Sequence, residues 1–341
     1  MDILKFDFMV EKREGCGEDS DPLSFSSQDG KFHAVGVFDG MGGAGAAICQ
    51  SRFGNSHTKA YVASRIVGRV IAQIVADLGK KDITDEYIKE EIKNEFQQEK
   101  EKYLSKESGL RSKLVRDYPT TLAFCTIEES DIGKYILTSY WAGDSRNYLW
   151  TSEGFYQLSK DDLEGELDPL QNIRNDAAMS NCVCADRKFR INVKRVEVKA
   201  PLIVFSATDG CFGYFPTPMH FENVLFSGLK EAKDMKEWKE YVQRKIECVT
   251  SDDISMSLLI LGSSFEEIKN LFSEREVPGF GNVSAKEREI AELEEELRKK
   301  RNELEEVIQE GWNTYKVDYL HYINFNTVSD SSERECEKKS R

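Results

Sequence analysis

The sequence predicts an α+β protein in which β-sheets are sandwiched between helices. Three observations lead there. Short β-branched and aromatic runs cluster in groups joined by tight turns, and two stretches of helical periodicity interrupt those groups. Two of the strand-like runs also end abruptly in an acid followed by glycine, Asp39-Gly40 and Asp209-Gly210. Strands in hairpin groups with helices set between the groups indicate layers rather than a βαβ repeat.

Taken in order, residues 2–10 carry Ile3, Phe6, Phe8 and Val10 in loose alternation and predict an edge strand. Residues 15–31 are rich in Gly, Ser and Asp and predict a loop. An apolar run from His33 to Phe38 then predicts a buried strand, closed by Asp39 and the turn Gly40-Met41-Gly42-Gly43. From Ala44 to Leu78 the pattern turns helical, with Tyr61, Ile66, Val70, Ile74 and Leu78 on one side. A second helix is expected over 84–104, with Thr84 as its N-cap. After Pro119 come strands at Thr120–Thr126, Tyr135–Trp141, Tyr148–Thr151 and Phe155–Leu158, the last two joined by Ser152-Glu153-Gly154. Residues 159–187 read as a polar surface flap. Strands over Phe189–Val198 and Leu202–Ala207, a helical stretch over 221–247 and a strand over Ser255–Leu261 complete a domain expected to span 1–263. The remainder, 264–341, reads as a linker broken at Pro278-Gly279, a charged helix over 284–311 capped by Ser284 and ended by Gly311-Trp312, and a disordered tail. Ile290, Leu293, Leu297, Leu304 and Val307 give that helix a heptad-like seam broken at Lys300, a surface for a partner or a second copy.

Bulk composition removes several classes. With 341 residues and 40% hydrophobic content the chain can bury a substantial core. A net charge of −14 disfavours a nucleic-acid backbone as partner. No apolar run reaches the roughly 18 residues that a membrane-spanning helix needs, so no membrane partner is expected, and residues 1–7 do not resemble a secretory leader. Eight cysteines without a C-x-x-C pair and four scattered histidines do not fit zinc spacing. Mostly apolar surroundings make the cysteines small buried hydrophobes, reduced, in a cytoplasmic setting.

The chemistry rests on acids. Asp39 follows a buried strand directly, and an unpaired carboxylate there is costly unless a cation meets it. Glu18-Asp19, Asp144, Asp209 and Asp252-Asp253 lie in comparable places, although each alone also suits a turn or a cap. A donor set made of oxygens favours Mg²⁺ or Mn²⁺ over zinc. Gly40-Met41-Gly42-Gly43-Ala44-Gly45 also fits G-x-G-x-x-G, the dinucleotide fingerprint. Asp39 would set a negative charge against a pyrophosphate, however, and no Asp or Glu occurs between Ala46 and Ala76 to hold a ribose.

Read together, Glu18-Asp19, Val37-Phe38-Asp39-Gly40-Met41-Gly42-Gly43, Thr120-Thr121-Leu122, Gly143-Asp144-Ser145-Arg146, Ser206-Ala207-Thr208-Asp209-Gly210 and Asp252-Asp253-Ile254-Ser255 resemble the type 2C (PPM) metal-dependent protein serine/threonine phosphatases, bacterial-type branch. The resemblance spans about 1–262. It implies a four-layer α-β-β-α sandwich of two antiparallel sheets, here followed by a C-terminal helical extension. It also implies two Mn²⁺ or Mg²⁺ ions. Asp39 bridges them, Asp209 and Asp252 hold the first, Glu18 and the Gly40 carbonyl hold the second, and Asp19 hydrogen-bonds water on the metal. A water shared by the ions then attacks phosphoserine or phosphothreonine of a phosphoprotein directly. Three departures stand out. The arginine expected four residues before Glu18 is replaced by Glu14, which leaves Arg13 to grip phosphate. Met41 occupies the place of a proposed general acid. Gly213 replaces an Asp that, with Asp144 and Asp209, meets a weaker third ion. The alternative from another class is a pseudophosphatase, the same fold kept as a regulatory binding module.

Overall fold

The computed structural model describes residues 3–51, 56–78, 83–105, 115–165, 168–175, 177–273 and 275–325. The chain divides into two compact units, Met1–Val277 and Pro278–Arg341. The first begins with strands β1 (Leu4–Val10), β2 (Leu23–Ser26) and β3 (Phe32–Val37), then a single turn α1 (Gly42–Gly45), β4 (Ile48–Ser51) and β5 (Ser56–Thr58). Helices α2 (Lys59–Leu78) and α3 (Asp85–Lys102) follow, then β6 (Tyr103–Ser105), β7 (Leu122–Asp131), β8 (Lys134–Ala142), β9 (Arg146–Trp150) and β10 (Phe155–Gln157). After α4 (Pro169–Arg174) come β11 (Asn192–Lys199), β12 (Leu202–Ala207), α5 (Asp209–Phe212), α6 (Pro218–Glu231), α7 (Met235–Glu247), β13 (Ile254–Leu261) and α8 (Phe265–Phe272). The second unit contains α9 (Phe280–Tyr319) and α10 (His321–Phe325).

Two five-stranded antiparallel sheets form the centre, ordered β1-β13-β12-β9-β10 and β11-β8-β7-β3-β2. Alternation along each strand sends side chains to opposite faces. Val35, Leu137, Leu149, Val204 and Leu259 meet between the sheets. Ala34 and Phe124 turn the other way, onto Ile66 and Val67 of α2 and Ile88 and Ile92 of α3. On the far side Trp238 of α7 stands edge-on to Phe6 at 5.3 Å, and Phe221 of α6 lies 6.2 Å from Phe205. The result is the four-layer α-β-β-α arrangement.

Several local expectations give way. β2 lies inside the stretch read as loop, because Leu23 and Phe25 supply only two apolar positions for a short edge strand. The helix expected from Ala44 begins at Lys59, and the strands β4 and β5 before it join β6, which follows α3, in a small sheet ordered β5-β4-β6. The helical stretch over 221–247 is two helices, parted where Asp234 accepts the Glu237 amide and restarts the chain as an N-cap. The flap is anchored rather than superficial: Cys182, Val183 and Cys184 are buried, and Val183 pairs with Thr120.

Past the expected boundary at 263, α8 belongs to the first unit. Ser264 and Glu267 form a reciprocal capping box, and Ile268 and Phe272 are fully buried, with Phe272 4.7 Å from Trp150. Burying two such side chains stabilises by roughly 3–6 kcal/mol. In the second unit α9 starts at Phe280, behind Gly279 in the left-handed region, and runs through both Ser284 and Gly311 to Tyr319. The expected tail lies outside the described residues.

Candidate metal centre

Chain reversals at one end of the sandwich bring the acids together. Phe38 carries β3 into Asp39, whose backbone is held on both sides: its carbonyl accepts from the Thr120 hydroxyl at 2.6 Å and the Thr121 amide at 2.8 Å. Its amide donates to Thr121 Oγ1, which is 2.6 Å from Ser145 Oγ beside Asp144. On the other sheet Thr208 carries β12 into Asp209, the first residue of α5. Carboxylate oxygens of Asp39, Asp144 and Asp209 all lie within 4.8 Å of one another.

Glu18 and Asp19 enter from the loop after β1. Asp253 is the clamp: its two carboxylate oxygens accept from the Lys12 amide at 2.8 Å and the Glu18 amide at 2.6 Å. The Glu18 side chain accepts from Thr58, and buried Asp19 accepts from Thr208 at 3.1 Å. A side chain at Gly42 would overlap the Glu18 carboxylate, and one at Gly40 would meet the Glu18 and Ala60 carbonyls at 2.5 and 2.7 Å. The glycine turn is therefore what lets Glu18 approach.

These groups line a cavity of about 510 Å³ that carries six carboxylates, those of Glu18, Asp39, Asp144, Asp209, Asp252 and Asp253. Met179 from the flap lines one side, and no lysine, arginine or histidine is among the described lining residues. Burial, followed by the charges of Asp19 and Asp209, holds the Asp39 carboxyl well above the usual carboxylate range. Burial and the Asp209 charge do the same to Asp19 and Asp144. Asp209 is pushed up to about 6, again chiefly by burial. Acids held this way gain most from a hard cation, and an all-oxygen donor set fits Mg²⁺ or Mn²⁺.

The structure thus gathers Glu18, Asp19, Asp39, Gly40, Asp144, Asp209 and Asp252 at one place. It does not bring Arg13 there. Arg13 is exposed and absent from the cavity wall, because the loop is pinned at Lys12 and Glu18 and swings outward between those points. A neighbouring cavity of about 350 Å³ shares Asp144 and Asp209 and is lined by Arg174 of α4, together with Gly213 and Tyr214. Arg174 has no sequence signal of its own, since nothing in the polar flap distinguishes it. Thr58 was hidden by the expected helix, whereas Thr121 was visible in Thr120-Thr121-Leu122.

The same layers and connections occur in solved phosphatases. A bacterial serine phosphatase shares 14% identity at a TM-score of 0.52, covering 77% of this chain and 99% of its own. The Mycobacterium tuberculosis serine/threonine phosphatase PstP gives 14% and 0.52, with 76% and 99% covered. Stp1 of Staphylococcus aureus gives 16% and 0.51, with 77% and 96% covered. The fold is that of the PPM-type serine/threonine phosphatases. No family profile and no curated protein matches the chain by sequence. In this PPM-type fold the acidic cavity opens where the turns after β3 and β12 meet. Among the described residues no helix is long and apolar enough to cross a membrane.

Proposed function

We propose that the chain is a metal-dependent phosphoprotein phosphatase acting on phosphoserine or phosphothreonine. The observation that carries this is the convergence of Asp39, Asp144 and Asp209 within 4.8 Å, with no cationic side chain among the described residues of the cavity wall. So dense a set of carboxylates in a fold shared with phosphatases is best accounted for by divalent cations. Asp39, Asp209 and Asp252 would hold one Mn²⁺ or Mg²⁺, and Asp39, Glu18 and the Gly40 carbonyl a second. When bound, such ions supply an activated water for direct attack at phosphorus and neutralise charge on the phosphate.

The chain's own residues do the rest. Asp19, which accepts from Thr208 and lies beside Asp39, would orient water on the metal. Asp253 holds Glu18 in place through the backbone. Arg174 lines the adjoining cavity together with Arg146, and because Arg146 is held by Asp161, Arg174 is the one suited to a phosphate or an acidic flank of the substrate. The outward position of Arg13 is the one feature favouring a regulatory binding module with the same fold.

One experiment separates the two: turnover of p-nitrophenyl phosphate and of a phosphothreonine peptide with Mn²⁺, with Mg²⁺ and with EDTA. The enzyme reading expects hydrolysis that needs the metal and disappears with chelator. Tight Mn²⁺ binding without turnover of either substrate would favour the binding module.

A further inference from the structure

Helix α9 is continuous from Phe280 to Tyr319, and that continuity changes the reading of its apolar face. A seven-residue register through Ile290, Leu293 and Leu297 fails at Lys300, Gly311 and Thr314. An eleven-residue register does not. Ile290, Leu293 and Leu297 are followed eleven positions on by Arg301, Leu304 and Ile308. Eleven further on stand Trp312, Tyr315 and Tyr319, so one polar residue interrupts the stripe. Eleven residues in three turns is 3.67 per turn, close to the straight helix, so these positions stay on one face. The ring contacts agree, with Trp312 and Tyr315 lying 5.7 and 5.6 Å from Tyr319. The apolar members are open to solvent, from 40% for Trp312 to 62% for Tyr315.

We propose that this face pairs with the same face of a second copy of the chain, the two α9 helices running antiparallel. Three features of the stripe favour this occupant and this direction. The first is volume. The stripe is aliphatic at one end and aromatic at the other, so antiparallel pairing sets Tyr319 on Ile290, Tyr315 on Leu293 and Trp312 on Leu297. Large on small keeps the layers even, whereas parallel pairing stacks three aromatic layers and then three narrow ones. The second is charge. Arg301 and Glu305 have no ion-pair partner among the described residues, while Arg298 and Lys300 pair with Glu295 and Glu303 within the helix. Antiparallel pairing about residues 304–305 sets Arg301 of one copy within reach of Glu305 of the other; parallel pairing sets Arg301 against Arg301 in an apolar seam. The third is extent. A stripe about 45 Å long reaches the scale of a specific interface, about 800 Å² per partner.

The pairing stands independently of the phosphatase reading and is tested on the full chain. Sedimentation equilibrium at about 50 µM should give the mass of two chains, the range expected for a micromolar dissociation constant. Leu304→Glu at the centre of the seam should raise that constant by about tenfold or more, with circular dichroism confirming the helix. Arg301→Leu should lower it. Direction is read by disulfide trapping against a wild-type background. A mixture of Leu293→Cys and Tyr315→Cys chains should cross-link, and Leu293→Cys alone should not. A monomer at that concentration, a dimer indifferent to Leu304→Glu, or cross-linking of Leu293→Cys with itself would each overturn the proposal.

Discussion

Two groups of acids lie side by side at one end of the sandwich, and their environments are opposite. Asp161 accepts from Arg146 through two nitrogens at 2.9 and 2.6 Å, and from Gln157 and Asn172. Asp162 accepts from the Gly143 amide, Asn181, Asn192 and Arg190. Asp39, Asp144 and Asp209 face one another, with no lysine, arginine or histidine among the described residues of the acidic cavity; Arg146 and Arg174 reach Asp144 and Asp209 only along the adjoining cavity, where Arg146 is already committed to Asp161. A buried acid that serves the fold arrives with its donors; an acid that serves a cation from outside arrives without them. The cavity acids are half-buried and Asp161 and Asp162 buried, but the partner inventory separates the two groups more sharply than exposure does.

The largest effect expected is on turnover. Asp39→Asn should lower metal-dependent hydrolysis by more than about 100-fold, since even supporting residues of metal ligands cost 10–100-fold. The same change should raise the melting temperature of the metal-free protein, because it removes one charge from a like-charged group. Loss of stability instead would mean that Asp39 belongs with the structural acids. Asp161→Ala should do the opposite and cost about 3–5 kcal/mol by leaving Arg146 buried and unpaired. Urea unfolding measures it, and a neutral result would erase the contrast.

The third effect is pH dependence. Asp209, held at about 6, keeps its proton in the folded state over a range where the unfolded chain, near 3.8, has released it. That contribution to metal-free stability is fully present below about pH 4 and is lost as pH rises through about 6. Melting curves in EDTA should therefore fall from pH 4 to 7 more steeply for wild type than for Asp209→Asn. Mn²⁺ should stabilise more at pH 7 than at pH 5. The smallest effect concerns Gly213, at φ −68° and so open to a side chain, although a Cβ would come within 2.9 Å of the Asp209 carbonyl. Gly213→Asp should cost about 1–3 kcal/mol, because the Asp209 carbonyl must shift to admit the Cβ, and should shift Mn²⁺ activation to lower concentration. A titration of activity against Mn²⁺ checks it, and an unchanged curve would place Gly213 outside the metal's reach.

Much of this was legible before any coordinates. The central strands announce themselves as apolar runs, and Asp39 and Asp209 because each stands at the end of such a run. Two of the misreadings share one cause, which is that local pattern competes with distant partners. The residues at 48–51 and 56–58 sit just ahead of a strong helix and become strand by pairing with one another and with β6. Arg174 is placed by the flap's tertiary anchoring, which leaves no periodic trace. The capping box at Ser264 and Glu267 was visible but masked by the glycine before it and the proline after. Its consequence is practical: a 1–277 fragment should match the full chain in thermal stability, whereas 1–263 should melt several degrees lower.

The Asp253 clamp has a further consequence for how this chain can vary. Because one carboxylate holds the backbone at both Lys12 and Glu18, the residues between form a closed bight whose ends are fixed to each other. Inserting or deleting a residue there changes the bight's outline without moving its ends. The acid-bearing end is thus insulated from length changes in its own loop, and residues 13–16 are the stretch where new sequence can be grafted beside the cavity without retuning it.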